Sequence, residues 1–277
     1  MPDKRSHRGA HPEDVRLFDS RYWPMLRSAV RDLSWLLSKG YGAKSSLKLA
    51  GDRYDLNDRQ RTAVMRSACS DQALIERRSR EVQANDISNR PLLIDGYNVL
   101  TTIEASLAGG VILRARDGCL RDMASMHGSY RKVTETGEAI RLIGQCLVDL
   151  KVGQSYWLLD SPVSNSGRLK VILYEIAGEF GWNWSVHIVG DPDKLLISAH
   201  SCADLISLLP VSGTGRSDQE AASMAAFECS EHDQRGICLV ASADSMVLDK
   251  CGAWFNLAGT VIGCNPEVQI IDLSGSV

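Results

Sequence analysis

After Pro91 the chain repeats one unit: a short apolar run that closes on an acidic or polar residue, followed by a stretch of helical period. LLID (92–95) precedes NVLTTIEASL, SYWLLD (155–160) precedes a helix expected from Arg168 to Phe180, and ICLVASAD (237–244) precedes a single turn at Ser245–Asp249. Apolar runs of four to six residues without polar alternation suit strands buried on both faces. Parallel neighbours need a crossover of a dozen or more residues, which the intervening helical stretches supply. Further strands are expected at 111–113, Trp184–Val189, Gly236–Ala241, Trp254–Leu257 and Val268–Leu273, and helices at Thr136–Leu150 and 218–229. The expectation is an α/β body over 86–277 with a central, mostly parallel sheet flanked by helices.

The first 85 residues follow different rules. A helix is expected from Glu13 to Leu37, with Pro24 in a first turn, Leu26, Ala29, Val30 and Leu33 on one stripe, and Gly40 as the stop. KLAGDRYDLND (48–58) reads as a loop, and two more helices as Arg59–Ala68, capped by Asn57 or Asp58, and Asp71–Val82. Residues 1–85 hold 17 Lys+Arg against 11 Asp+Glu, whereas 86–277 hold 14 against 23. A basic helical module thus precedes an acidic body, which permits a polyanionic partner at the front. The eight cysteines are scattered with no CxxC, and no run of 18 apolar residues occurs, so the expectation is a reducing cytoplasm, no structural zinc and no membrane span.

The strand-like runs bring acidic residues to one rim. Asp95 ends the first, Asp160 another, and Ser242 and Asp244 follow a third, with Asp249 further on. Ligands of open α/β sheets bind at the carboxyl ends of strands. Carboxylates gathered there repel one another unless a cation neutralises them, and all-oxygen ligands suit Mg²⁺ or Mn²⁺. Each Asp taken singly has an ordinary alternative as a turn former or helix cap. GxGxxG, GxxxxGK[ST] and GxSxG are absent, and the first strand ends D-G-Y rather than DxD. These absences remove the Rossmann dehydrogenase, ATPase, serine hydrolase and haloacid-dehalogenase-type readings.

DLSWLLSKGY, LAGDRYDLNDRQRTAVMRSACS, IDGYNVL, LRDMASMHGSYR, LLDSPVSNSGRLK and ASADSMVLDK together resemble an uncharacterised prokaryotic family. That family, a domain of unknown function, pairs a helical N-terminal module with an α/β body. More distantly the body resembles PIN-like and NYN-type nucleases, which implies a PIN-like fold and divalent-metal cleavage of RNA. The resemblance matches Asp95 and Asn98 to the first acidic strand end, Ser242 and Asp244 to the late one, and Glu104 or Asp160 to a central acidic ligand.

The resulting expectation is a ribonuclease-like phosphodiesterase using Mg²⁺ or Mn²⁺. Asp95, Asp160 and Asp244 are its catalytic and metal-binding residues, and Glu104 is a further candidate ligand. Asn98, Ser242, Asn165, Arg168 and Arg121 are the phosphate contacts, and Arg53 and Arg59 of the front helices capture RNA. The segment 114–132 is read as an insert near the rim, with His127 as a possible proton shuttle. Two rival readings share the fold: a non-catalytic RNA- or ribosome-associated protein, and a small-molecule phosphatase or phosphotransferase.

Overall fold

The computed structural model describes residues 7–9, 11–124, 130–199 and 238–275. Four strands, β1 (Leu92–Asp95), β4 (Ser155–Asp160), β5 (Trp184–Val189) and β6 (Leu239–Ala241), form one all-parallel sheet in the order β5-β4-β1-β6. Alternate side chains go to opposite faces, as strand geometry requires. Leu92, Ile94, Trp157 and Leu159 pack with α6 (Gly96–Leu107), α7 (Thr136–Asp149) and α8 (Ser166–Phe180). Leu93, Tyr156 and Leu158 face the other way, onto α9 (Pro192–Ser198) and α10 (Ser245–Lys250). Burial on both faces is the reason these runs carry no polar alternation.

The strand order has a consequence for function. From β1 the chain moves outward on one side to β4 and β5, then returns to place β6 on the other side of β1. Crossovers leaving β1 in opposite directions open a crevice at its carboxyl end, the switch point of a doubly wound sheet. Asp95 is the last residue of β1.

A second sheet has the order β3-β2-β7, built from β2 (Ile112–Arg114), β3 (Leu120–Asp122) and β7 (Ile270–Asp272). The expected insert is therefore in part a hairpin: β3 returns antiparallel to β2 around Gly118. The expected terminal strand pairs parallel with β2 and not with the main sheet. Trp254 makes only single bridges to Val240 and Glu81, and the chain turns at Leu257 into α11 (Leu257–Gly263), so Trp254–Leu257 is not a strand. The expected 218–229 helix and His127 lie outside the described residues.

In the front piece the first expected helix is broken into α1 (Asp14–Leu17), a short 3₁₀ turn at Ser20–Tyr22 capped by Asp19, and α2 (Trp23–Ser38) with Pro24 in its first turn. The stretch read as a loop is largely helical, as α3 (Ala43–Arg53). Its small residues Ser46, Ala50 and Gly51 are buried, and an added Cβ on Gly51 would lie 2.1 Å from the Arg61 guanidinium. Close approach rather than a turn thus accounts for that glycine. Helices α4 (Asp58–Ser67) and α5 (Asp71–Arg80) follow, the first closed by a capping box between Asn57 and Gln60.

These helices close no core of their own. Leu26, Leu33 and Val64 share one apolar cluster with Leu113 of β2, Met123, and Ile271 and Leu273 at the chain's end. Four arginines of the front piece are held by the body. Arg66 donates to the carbonyls of Asp122 (2.5 Å) and Ala124 (2.9 Å), Arg27 to that of Asp272 (2.7 Å), and Arg80 to those of Cys251 and Leu248. Arg77 is buried between Asp117 (2.5 Å) and Asp249 (2.6 Å). Much of the basic balance of the first 85 residues is answered by the body itself.

Candidate functional site

Asp95, Asp160 and Asp244 line a single cleft of about 660 Å³ at the carboxyl ends of the parallel strands. Each arrives there by its strand: Asp95 and Asp160 are the last residues of β1 and β4, and Asp244 lies three residues past β6. The β5 end adds Asp191 and Asp193, and β3 adds Asp122. The sequence reading missed these three. The signal for the first two was present, because VHIVGDPD repeats the pattern of an apolar run followed by acid that singled out the other ends.

Close packing fixes the centre of the cleft. An added Cβ on Gly96 would meet a Leu159 methyl at 2.6 Å and the Leu158 carbonyl at 2.9 Å. A side chain there would push the start of α6 off β4. The Ser242 hydroxyl donates to Asp95 Oδ2 (2.7 Å) and accepts from the Asp244 backbone N–H (3.0 Å), joining two strand ends across the switch point. Asn98 Oδ1 accepts from the Ala243 N–H (2.7 Å), so this side chain braces α6 against the β6 exit. Asp244 also caps α10, accepting from Met246 (2.8 Å) and Val247 (3.1 Å), which is the ordinary use of an Asp at a strand end.

The electrostatics of the cleft are unfavourable. Burial raises the Asp95 carboxyl to about 7, and the charges of Asp193 and Asp244 add to the rise against the Ser242 hydrogen bond. Burial and its acidic neighbours also raise Asp193, and burial together with Asp191 raises Asp160. Asp160 Oδ1 is buried with no described hydrogen-bond partner. Among the described residues two cations border the cleft, and both are engaged. Arg121 is buried, pairs in two-pronged fashion with Asp117 (2.9 and 2.7 Å) and donates to the Ala243 carbonyl (2.7 Å). Arg66 is held by the β3 exit.

The remaining candidates lie elsewhere. Glu104 does not line the cleft. It is fully buried, pairs with Arg8 (2.7 Å), and accepts from the Tyr130 and Thr136 hydroxyls (2.6 Å each). The helical turn separates it from Asp95: nine residues along α6 carry Glu104 far from the rim. Arg59 is paired with Asp14, and Arg53 with Asp32 (3.4 Å) while stacking on Tyr54, so neither borders the cleft. Asn165 and Arg168 line a second, smaller cleft of about 280 Å³. Among the described residues no group of three or more His, Cys, Asp or Glu side chains forms a ready-made metal cage, and no helix is long and apolar enough to cross a membrane.

Residues 25–80 match a protein family of unknown function, DUF434, and residues 84–208 match a domain of unknown function, DUF5616. The chain is 27% identical over 160 residues to the uncharacterized protein MJ0935 of Methanocaldococcus jannaschii, covering 56% of this chain and 76% of that protein. No solved structure matches.

Proposed function

We propose that the cleft holds a divalent cation and that the protein is a cytoplasmic, metal-dependent phosphodiesterase acting on RNA, built on a PIN-like body. One observation carries the reading. Of the buried charged side chains among the described residues, Asp14, Arg77, Glu104, Asp117, Arg121 and Asp122 each have an oppositely charged partner, and Asp95 has none. An unpaired buried carboxylate is costly, and an added positive charge at the cleft would relieve it.

The donor set fits Mg²⁺ or Mn²⁺ in one form. All candidate ligands are carboxylate oxygens, and the Asp160 Oδ1 is buried and unsatisfied. Among the described residues no three carboxylates form a cage, so an ion here would be held by one or two carboxylates, with waters and substrate oxygens completing its shell. Asp95 and Asp160 would hold it, with Asp244 contributing through water. A cation so held would supply polarisation of a phosphodiester and a lowered pKa for an attacking water. The Ser242 hydroxyl fixes the Asp95 carboxylate, Asn98 keeps the two strand ends in register, and Asp193, raised by burial and its acidic neighbours, lines the same cleft.

The test is a Mn²⁺ titration by calorimetry of the full chain and of Asp95→Asn and Asp160→Asn, paired with cleavage of a diverse single-stranded RNA pool. Saturable uptake weakened by both substitutions, with cutting lost in parallel, is expected. A wild-type protein that takes up no Mn²⁺ overturns the metal reading. Uptake with turnover of a small phosphate ester but of no RNA would make it a phosphatase instead.

A further inference from the structure

The turn from the end of β4 into α8 has clefts of opposite character on its two sides. Asp160, Pro162 and Val163 face the acidic cleft, whereas Asn165 and Arg168 line the second one. The second cleft is completed by Tyr130, Arg131 and Lys132, so among the described residues lining it are three cations and no carboxylate, in a body whose net charge over 86–277 is −9. Arg131, Lys132 and Arg168 are all exposed, and no ion pair joins Lys132 or Arg168 to a described residue. The cleft is also firmly built. The Tyr130 N–H donates to the Ser164 carbonyl (3.1 Å), and Asn165 Nδ2 donates to the Tyr130 carbonyl (2.9 Å) from a left-handed backbone (φ 73°). The Ser166 hydroxyl lies within hydrogen-bond distance of the Asp160 and Val163 carbonyls and of the Tyr97 hydroxyl, fixing the loop between the two clefts.

We propose that this cationic cleft is a backbone-phosphate subsite that seats a single-stranded RNA next to the acidic cleft. The inference rests on the phosphodiesterase reading and names what would make its substrate a polynucleotide rather than a small ester. A polyanion is repelled by the body as a whole and needs a local reversal of sign to dock. Lys132 and Arg168, lining one cleft beside the acidic one, supply that reversal on one side of the turn. The phosphate to be cut sits on the other side. Arg168 offers a planar fork for a phosphate and Lys132 a point charge, while Asn165 and Tyr130 shape the wall between them.

Binding of a fluorescein-labelled single-stranded RNA is measured by anisotropy at several salt concentrations in EDTA, so that neither metal uptake nor cutting enters the readout. The wild-type full chain is compared with Lys132→Gln/Arg168→Gln and with Lys44→Gln/Arg141→Gln, which removes the same charge from exposed sites lining neither cleft. The first pair is expected to weaken binding about tenfold and to flatten the slope of log K against log salt by about 1.4, since each lost single-strand phosphate contact removes about 0.7. The control pair leaves affinity and slope unchanged. Equal affinity in wild type and Lys132→Gln/Arg168→Gln, equal weakening by both pairs, or no RNA binding by wild type each overturn the subsite. Wild type that binds through Lys132 and Arg168 but takes up no Mn²⁺ retains the subsite and removes the metal-dependent reading instead.

Discussion

Asp95→Asn tests the physics of the acidic cleft independently of any substrate. In the folded chain the carboxyl is raised from 3.8 to about 7. At about 1.36 kcal/mol per pKa unit, the ionised form is disfavoured by roughly 4 kcal/mol, an upper limit because the buried carboxylates titrate together. The sign follows from proton binding. Below about pH 4 both folded and unfolded chains hold the proton, and no cost exists. Between about 4 and about 7 the folded state holds more protons than the unfolded one, so stability falls as pH rises, and above about 7 the full cost stands. Asn carries no charge, occupies nearly the same volume and keeps an oxygen to accept from Ser242. The variant should therefore match wild type near pH 3.5 and exceed it progressively, by about 2–4 kcal/mol at pH 8. Urea unfolding of both proteins across that range, in EDTA, reads the difference directly. Saturating Mn²⁺ should then stabilise wild type more than the variant and narrow the gap. A stability difference that does not change between pH 5 and pH 8 would refute the reasoning. Asp95 would then be ionised without penalty, and the cleft would have no electrostatic need for a cation.

Asp117→Asn should cost about 3–5 kcal/mol in urea unfolding, because it strips both Arg77 and Arg121 of a buried partner. Burial pushes the Asp117 carboxyl up, but the two arginines outweigh it and hold it at about 2, so its stabilisation persists above about pH 4 and is lost only as pH falls toward 2. Gly96→Ala should destabilise by about 1–3 kcal/mol and weaken Mn²⁺ uptake, since the new methyl meets backbone of β4 and displaces the start of α6. Removing residues 1–85 should leave a body without fixed tertiary structure, read as lost near-UV circular dichroism, because Leu113, Met123 and Ile271 would lose the apolar cover they share with α2 and α4.

The parallel core was legible because its strands are buried on both faces and so write continuous apolar runs: LLID, SYWLLD and WSVHIV are strands over the same residues as expected. What depends on side chains meeting across long sequence distances was not. Gly51 reads as a loop residue until Arg61, ten residues on, is seen lying against it. Glu104 reads as a rim carboxylate until Arg8 and Tyr130 arrive from two other segments. Arg53 and Arg59 read as a surface for RNA phosphate, and nothing local says that their partners are Asp32 and Asp14. Charge asymmetry between two halves of a chain has the same sequence signature whether the halves attract a ligand or each other. Asp191 and Asp193 differ in kind, because their strand and their acidic ending were both in view and only the link between them was missing.

That contrast bears on why the cleft stands apart. Elsewhere the chain matches its buried charges closely: two guanidinium groups close on Asp117, and Arg8 reaches Glu104 from 96 residues away. A sequence able to arrange those pairs leaves Asp95 buried among carboxylates at the switch point of its sheet. The cost is of the order of burying two leucine side chains. Nothing in the packing demands an acid there. Asn would also accept from Ser242, and Asn is a good residue at a helix start. Local rules are broken where a site needs them broken, with the loss offset by a core elsewhere. Here the broken rule is charge pairing: Arg66 and Arg121 border the cleft but are engaged elsewhere, and no described cation pairs with Asp95. On the reading proposed above a cation would supply positive charge to the carboxylates, and a phosphate drawn in beside it would be held from the far side of the β4–α8 turn by Lys132 and Arg168.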